Sequence, residues 1–221
     1  MKKSFCVYAL VIFFLTACTA RTSSPATATP PREITPADVD LPFDGAAPAA
    51  IKYLPCFVNT GTAIHTADVF YFNDFSSDET LHILAPLGGL VMYMDGDPNT
   101  TDVIGQLIVV KTDFVYQKEM VYYELAEFHE LASELSVGKR IDQGDTLGYI
   151  DNDGRPFDPL NGYILDIAFF VAKPSLYDND AGNSANIDKY IDPGLLLVDS
   201  LEKFPIIYHM PRCEGTPIIN Q

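Results

Sequence analysis

The sequence predicts an all-β sandwich or barrel with one short helix. Three observations predict it. Short apolar runs rich in β-branched and aromatic residues recur along the chain. Turn-forming residues separate them. Helical spacing of apolar positions occurs in a single stretch. Hydrophobic residues make up 48% of the chain and charged residues 20%, which suits a packed core and excludes global disorder. Trp is absent, so Tyr and Phe must supply the large core side chains.

The elements follow in order from about Ile51, where the domain is expected to start. Val69-Phe70-Tyr71-Phe72 and Leu90-Val91-Met92-Tyr93 read as strands. The run Asp95-Gly96-Asp97-Pro98-Asn99 reads as a turn. Leu107-Ile108-Val109-Val110 and Met120-Val121-Tyr122-Tyr123 are the next two strands, divided by an expected turn at Lys111-Thr112-Asp113. Leu125, Phe128, Leu131, Ala132 and Leu135 fall at helical spacing and predict the short helix. Strands resume at 146–150 and 163–171, and Lys173 to Asn186 reads as a polar loop. Asp151-Asn152-Asp153-Gly154 starts like a calcium loop but lacks the later ligands, so a hairpin turn is expected there.

Ahead of the domain the chain has a different character. Met1-Lys2-Lys3 is a short basic segment, and Ser4 to Phe14 is apolar but too short to cross a bilayer. Leu15-Thr16-Ala17-Cys18 resembles a bacterial lipobox. That resemblance implies a lipoprotein signal peptide at 1–17, removed before Cys18, and acylation of Cys18. The implied location is the bacterial cell envelope, anchored in the lipid bilayer, with the outer membrane favoured in a Gram-negative host because no Asp follows Cys18. Residues 18–50 are rich in Thr, Ser, Ala and Pro and are expected to form an extended tether. The domain is then 51–221.

Charge narrows the partners. The chain carries 14 Lys+Arg against 30 Asp+Glu, a formal net charge of −16. Binding to nucleic acid needs clustered basic residues, so nucleic acid is excluded as a partner. Of the four cysteines, Cys6 falls in the signal segment and Cys18 at the lipobox. Cys56 and Cys213 are left, and in an oxidising envelope a leftover pair is expected to bond. Closing so long a loop is worth about 4–5 kcal/mol in the chain-entropy treatment.

Three segments in order carry a family resemblance. They are 83–91 (Ile-Leu-Ala-Pro-Leu-Gly-Gly-Leu-Val), 137–148 (Val-Gly-Lys-Arg-Ile-Asp-Gln-Gly-Asp-Thr-Leu-Gly) and 164–171 (Ile-Leu-Asp-Ile-Ala-Phe-Phe-Val), followed by Ile191-Asp192-Pro193. Physically, Ala-Pro before Gly-x-Val starts a strand at a tight backbone crossing, and the second segment puts glycines at turns of a compact β core. Together they resemble the LytM/lysostaphin-type (duplicated hybrid motif) zinc metallopeptidase domain, with a barrel-sandwich antiparallel β core, over roughly Gly61 to Leu197. The resemblance implies a cell-wall peptidase fold. It also implies a zinc held by a His four residues before an Asp and by the second His of a His-x-His strand.

The chain departs from that pattern at each slot. Asp68 fits the Asp position, but Ile64 stands four residues before it, and His65 is out of phase by one. The His-x-His slot reads Asp166-Ile167-Ala168, and Ala168 has no donor atom. The Tyr-x-His-Leu slot reads Tyr122-Tyr123-Glu124-Leu125. No catalytic residue and no metal ligand is assigned, and no cofactor is expected, with residual zinc at His65 and Asp68 the exception worth testing. Asp68, Glu124, Asp166 and His65 are the candidates for lining the old cleft, where the three acids would form an acidic pocket. The remaining histidines, His82, His129 and His209, read as surface or satisfied core residues.

The expected function is a non-enzymatic binding or regulatory module at the cell wall, with peptidoglycan or a cell-wall hydrolase as partner. One alternative is an active zinc peptidoglycan endopeptidase using a rearranged set such as His65, Asp68 and Asp166. Another is an envelope structural or carbohydrate-binding lipoprotein.

Overall fold

The fold comes from a computed structural model, which describes residues 30–44, 51–55, 58–59, 64–65, 67–72, 80–95, 106–151, 163–171, 189–203 and 208–209. Cys18, Cys56 and Cys213 lie outside these residues, as do most of the 95–99 turn, the turn after Asp151 and the 173–186 loop.

In chain order the strands are β1 (Arg32–Glu33), β2 (Phe43–Asp44), β3 (Ile51–Leu54), β4 (Val58–Asn59), β5 (Ile64–His65), β6 (Asp68–Phe72), β7 (Thr80–Leu84), β8 (Gly89–Asp95), β9 (Gln106–Tyr116) and β10 (Glu119–Phe128). They continue as β11 (Glu130–Leu131), β12 (Arg140–Ile141), β13 (Thr146–Asp151), β14 (Tyr163–Phe170), β15 (Tyr190–Ile191) and β16 (Tyr208–His209). A 3-10 turn covers Pro36–Asp38, and the one α-helix among the described residues, α1, covers Pro193–Lys203. The all-β class with a single short helix is therefore the observed one. No helix among the described residues is long and apolar enough to cross a membrane.

A ten-stranded sheet runs β12-β8-β9-β10-β14-β6-β3-β16, with β1 beside β9 and β15 beside β14. A second sheet runs β11-β13-β7-β2, and β4 pairs with β5. The core lies between the two larger sheets and α1. Alternation builds it: Phe70 and Phe72 of β6, Tyr123 and Leu125 of β10, and Leu165, Ile167 and Phe169 of β14 point inward, with Leu81 and Ile83 of β7 and Leu196 and Leu197 of α1. Each such side chain contributes roughly 1.5–3 kcal/mol on full burial.

The glycine expectations hold in part, since Gly148 lies inside β13 and not at a turn. Gly138 and Gly144 take left-handed φ of 88° and 85° at the turns flanking β12. At Gly89 a Cβ would stand 2.8 Å from Val110 Cγ1 and closer still to the Lys111 carbonyl, the tight crossing expected after Ala85-Pro86.

Three expectations are corrected. The tether does not extend to residue 50, because the compact unit begins at Pro31. Ile34, Val39 and Phe43 are buried, and Phe43 meets Phe70 and Phe72 edge-on at 4.9 and 5.1 Å. Prolines set φ in this stretch but do not stop it docking. The Asp38 carboxylate accepts from Thr35 N and Oγ1, and Ser200 Oγ of α1 donates to the Val39 carbonyl.

The helix expected at 125–135 is not a helix. Tyr122 to Ala126 pair with both β9 and β14, so a central strand already uses the backbone groups that a helix would need. The apolar spacing there records a strand, a bulge and the edge strand β11. The helix lies instead at α1, where Asp192 caps the Gly194 N–H at 2.9 Å and Pro193 takes the first helical position.

Lys111-Thr112-Asp113 is not a turn. It lies inside β9, where buried Thr112 Oγ1 donates to the Val121 carbonyl at 2.9 Å and accepts from Phe114 N at 3.1 Å. The chain reverses at Gln117-Lys118, a two-residue loop with φ of 51° and 70°. Two left-handed central residues match the twist of a hairpin.

Candidate functional site

Strand register decides which of the candidate acids meet. In the antiparallel β6·β14 pair, Asp68 stands opposite Ile167, and Asp166 stands opposite Val69. Directly opposed residues share a face. Asp68 therefore lies on the core side, with Ile167, and Asp166 lies on the outer face. In β10·β14, Glu124 stands opposite Ala168 and Ala126 opposite Asp166, which puts Glu124 on the outer face with Asp166. The sheet thus divides the expected trio: Glu124 and Asp166 share one face, and Asp68 occupies the other.

Asp68 has a structural setting. It is fully buried, and Tyr53 Oη of β3 donates to its Oδ2. The first turn of α1 closes over it, since a Cβ on Gly194 would stand 3.7 Å from Asp68 Oδ2 and 3.4 Å from Tyr53 Oη. The N-terminal end of α1 is a favourable neighbour for this carboxylate. His65 ends β5, opposite Val58 in a pair outside both larger sheets, and its side chain is not among the described residues.

The outer face has a third acid that sequence reasoning missed, Glu127. Leu107 opposes Ala126 and Gln106 opposes Phe128, so Glu127 is the extra residue of a β-bulge. Its φ is 70°, unusual for a side chain of this size. On a regular strand, residues three apart face opposite sides, which would separate Glu124 from Glu127. The bulge changes that phase and brings Glu127 toward Asp166. No signal in the sequence announces it.

The electrostatics of this group are one-sided. Desolvation by burial pushes the Asp166 carboxyl well above its usual range, and the negative charges of Glu127, Glu124 and Asp68 push it further. Burial also raises Glu127. Asp166 Oδ1 and Glu127 Oε2 are buried and accept no hydrogen bond. Glu124 and Asp166 stand diagonally across two strands, about 7 Å apart at Cβ. Two full charges at that separation repel by about 2 kcal/mol at an effective dielectric near 20.

The floor and flanks are apolar. Ala126 and Ala168 are buried beside the acids. On one flank Val109, Tyr122 and Phe170 form a cluster that Met92, Leu107, Met120 and Tyr190 join. Tyr122 stacks on Phe170 with ring centroids 5.6 Å apart and planes 11° from parallel. On the other flank Leu54 and Val69 pack with Tyr71 and Ile164.

Zinc does not fit these residues. Ala168 offers no donor at the second ligand slot, and the Asp68 carboxylate lies on the opposite face of the sheet, engaged by Tyr53. Among the described residues, no group of three His, Cys, Asp or Glu side chains is arranged to hold a metal ion. His82 and His129 serve local packing. His82 Nδ1 meets Asp44 at 3.1 Å and lies edge-on to Tyr149, and His129 lies edge-on to Tyr163 at 4.9 Å. His209 belongs to β16.

No protein-family model matches the chain, and no curated protein matches it. Solved structures do. Lysostaphin from Staphylococcus simulans, an antimicrobial peptidase, matches at 11% identity and a TM-score of 0.45, over 83% of this chain and 60% of its own. A candidate glycyl-glycine endopeptidase LytM from Ruminococcus gnavus matches at 13% identity and a TM-score of 0.48, over 80% and 65%. The catalytic domain of a variant of EnpA, a prophage-encoded M23 protein from Enterococcus faecalis, matches at 13% and 0.40, over 71% and 95%. The chain spans less than two thirds of those lysostaphin and LytM chains. In fold, this chain is similar to peptidase domains of the LytM, lysostaphin and M23 type.

Proposed function

We propose that this protein is a lipid-anchored component of the bacterial cell envelope whose peptidase-like domain binds at the cell wall without cutting it. One observation carries the reading. The strand that would supply the His-x-His ligands presents Asp166 and Ala168 to one face, and the candidate partner Asp68 sits on the other face under α1. A rearranged zinc hydrolase using Asp68 and Asp166 would need both acids on one face. The lipobox at Cys18 supports the anchor, and the acidic balance supports acyl chains rather than basic residues as the membrane contact. The implied partner is peptidoglycan, or a hydrolase that acts on it.

The test measures zinc content of the purified protein by elemental analysis, dye release from labelled peptidoglycan, and cosedimentation with peptidoglycan sacculi. The reading expects no stoichiometric zinc, no release and retention on sacculi. Stoichiometric zinc with release would overturn it.

A further inference from the structure

The outer face of the large sheet combines features that fit one kind of ligand. Asp166 and Glu127 each bury a carboxylate oxygen that accepts no hydrogen bond, and the charges acting on Asp166 are all negative. Buried polar atoms of folded proteins are otherwise almost always paired. The bulge at Glu127 turns a third acid onto this face instead of leaving an apolar strand. Ala126 and Ala168 keep the floor shallow between two apolar flanks, one of them built on the Tyr122–Phe170 stack.

We infer that this notch is a binding site for the alkyl-ammonium side chain of a peptide, of the lysine type. The ammonium supplies three donors and a positive charge, which the unpartnered oxygens of Asp166 and Glu127 lack. The alkyl stem and the peptide beside it lie against the partly buried Tyr71 and Ile164. A carboxylate-bearing or neutral side chain would leave the acids uncompensated. This inference rests on the binding reading above and names its ligand class. No covalent step is involved.

Isothermal titration of the purified full chain with acetyl-Ala-Lys-Ala-amide tests it, with acetyl-Ala-norleucine-Ala-amide as the neutral isostere. Saturable binding of the lysine peptide is expected, at least tenfold tighter than the norleucine peptide. Proton release is also expected, visible as a heat that changes with the ionisation enthalpy of the buffer. Asp166→Asn and Glu127→Gln should each weaken the lysine peptide at least fivefold. Glu119→Gln, at the far end of β10 beside Lys189, should leave affinity unchanged. Equal affinity for both peptides would overturn the inference, as would stoichiometric binding of calcium alone that displaces the lysine peptide. Retention on sacculi without any lysine-peptide binding would overturn this site alone and leave the broader reading standing.

Discussion

Replacing Asp166 by Asn should stabilise the protein at neutral pH. The wild-type carboxyl is buried, its Oδ1 is unpartnered, and Glu127, Glu124 and Asp68 all oppose its charge. Repulsion from one such neighbour about 7 Å away is worth about 2 kcal/mol at an effective dielectric near 20. Desolvation of an unpaired polar atom adds about 1–3 kcal/mol, part of which the Asn carbonyl retains. A gain of about 1–3 kcal/mol at pH 7 is expected, or a Tm rise of roughly 2–4 °C per kcal/mol for a chain of this size. The sign reverses no part of the pH range. A carboxyl raised in the fold binds its proton more tightly there than in the unfolded chain. Its contribution is therefore favourable below the unfolded value of about 3.9 and is lost as pH rises through the folded value. The Asn variant should match wild type near pH 3.5 and gain on it steadily as pH rises. Urea unfolding of both proteins across that range measures the difference. A variant that is less stable at pH 7, or that keeps the wild-type pH slope, would refute the placement of Asp166 in a buried, uncompensated acidic group.

Further outcomes follow from the same geometry. Gly148→Ala should lose about 1–3 kcal/mol in urea unfolding, because its Cβ would collide with the Glu130 carbonyl and stand 2.5 Å from the buried Phe128 ring. Tyr53→Phe should cost about 1–3 kcal/mol by leaving buried Asp68 without that hydroxyl donor, a loss readable as a lower urea midpoint with an unchanged slope. Replacing Gln117-Lys118 by Asn-Gly should raise Tm, since both positions already take φ of 51° and 70° and Asn-Gly adopts such values readily. Thiol titration of the purified, unreduced protein should find Cys56 and Cys213 unreactive until reduction. Free thiols in the unreduced protein would remove the disulfide.

The acids show how far the sequence could be read. Asp68 was legible as the acid that fits a zinc-ligand pattern, and Asp166 and Glu124 as acids standing where that pattern has histidines. Their grouping was not legible, because it depends on which strand lies beside which and in what register. Asp68 and Asp166 come from strands far apart in sequence, and the pairing with Val69 and Ile167 alone decides that they face opposite ways. Glu127 was invisible for a different reason. One inserted residue reverses the alternation on which every face assignment in a strand depends.

The sequence by itself determined the β class, most central strands, the glycine turns around β12 and the missing donor at Ala168, since each rests on local chemistry: branched side chains, φ freedom or the absence of an atom. Only the tertiary structure decided that residues 31–44 belong to the domain, that 125–128 is a strand and that α1 caps Asp68. Apolar spacing is shared by helices and bulged strands. The choice falls to the partner that satisfies the backbone, and for Tyr122 to Ala126 those partners are β9 and β14 on either side.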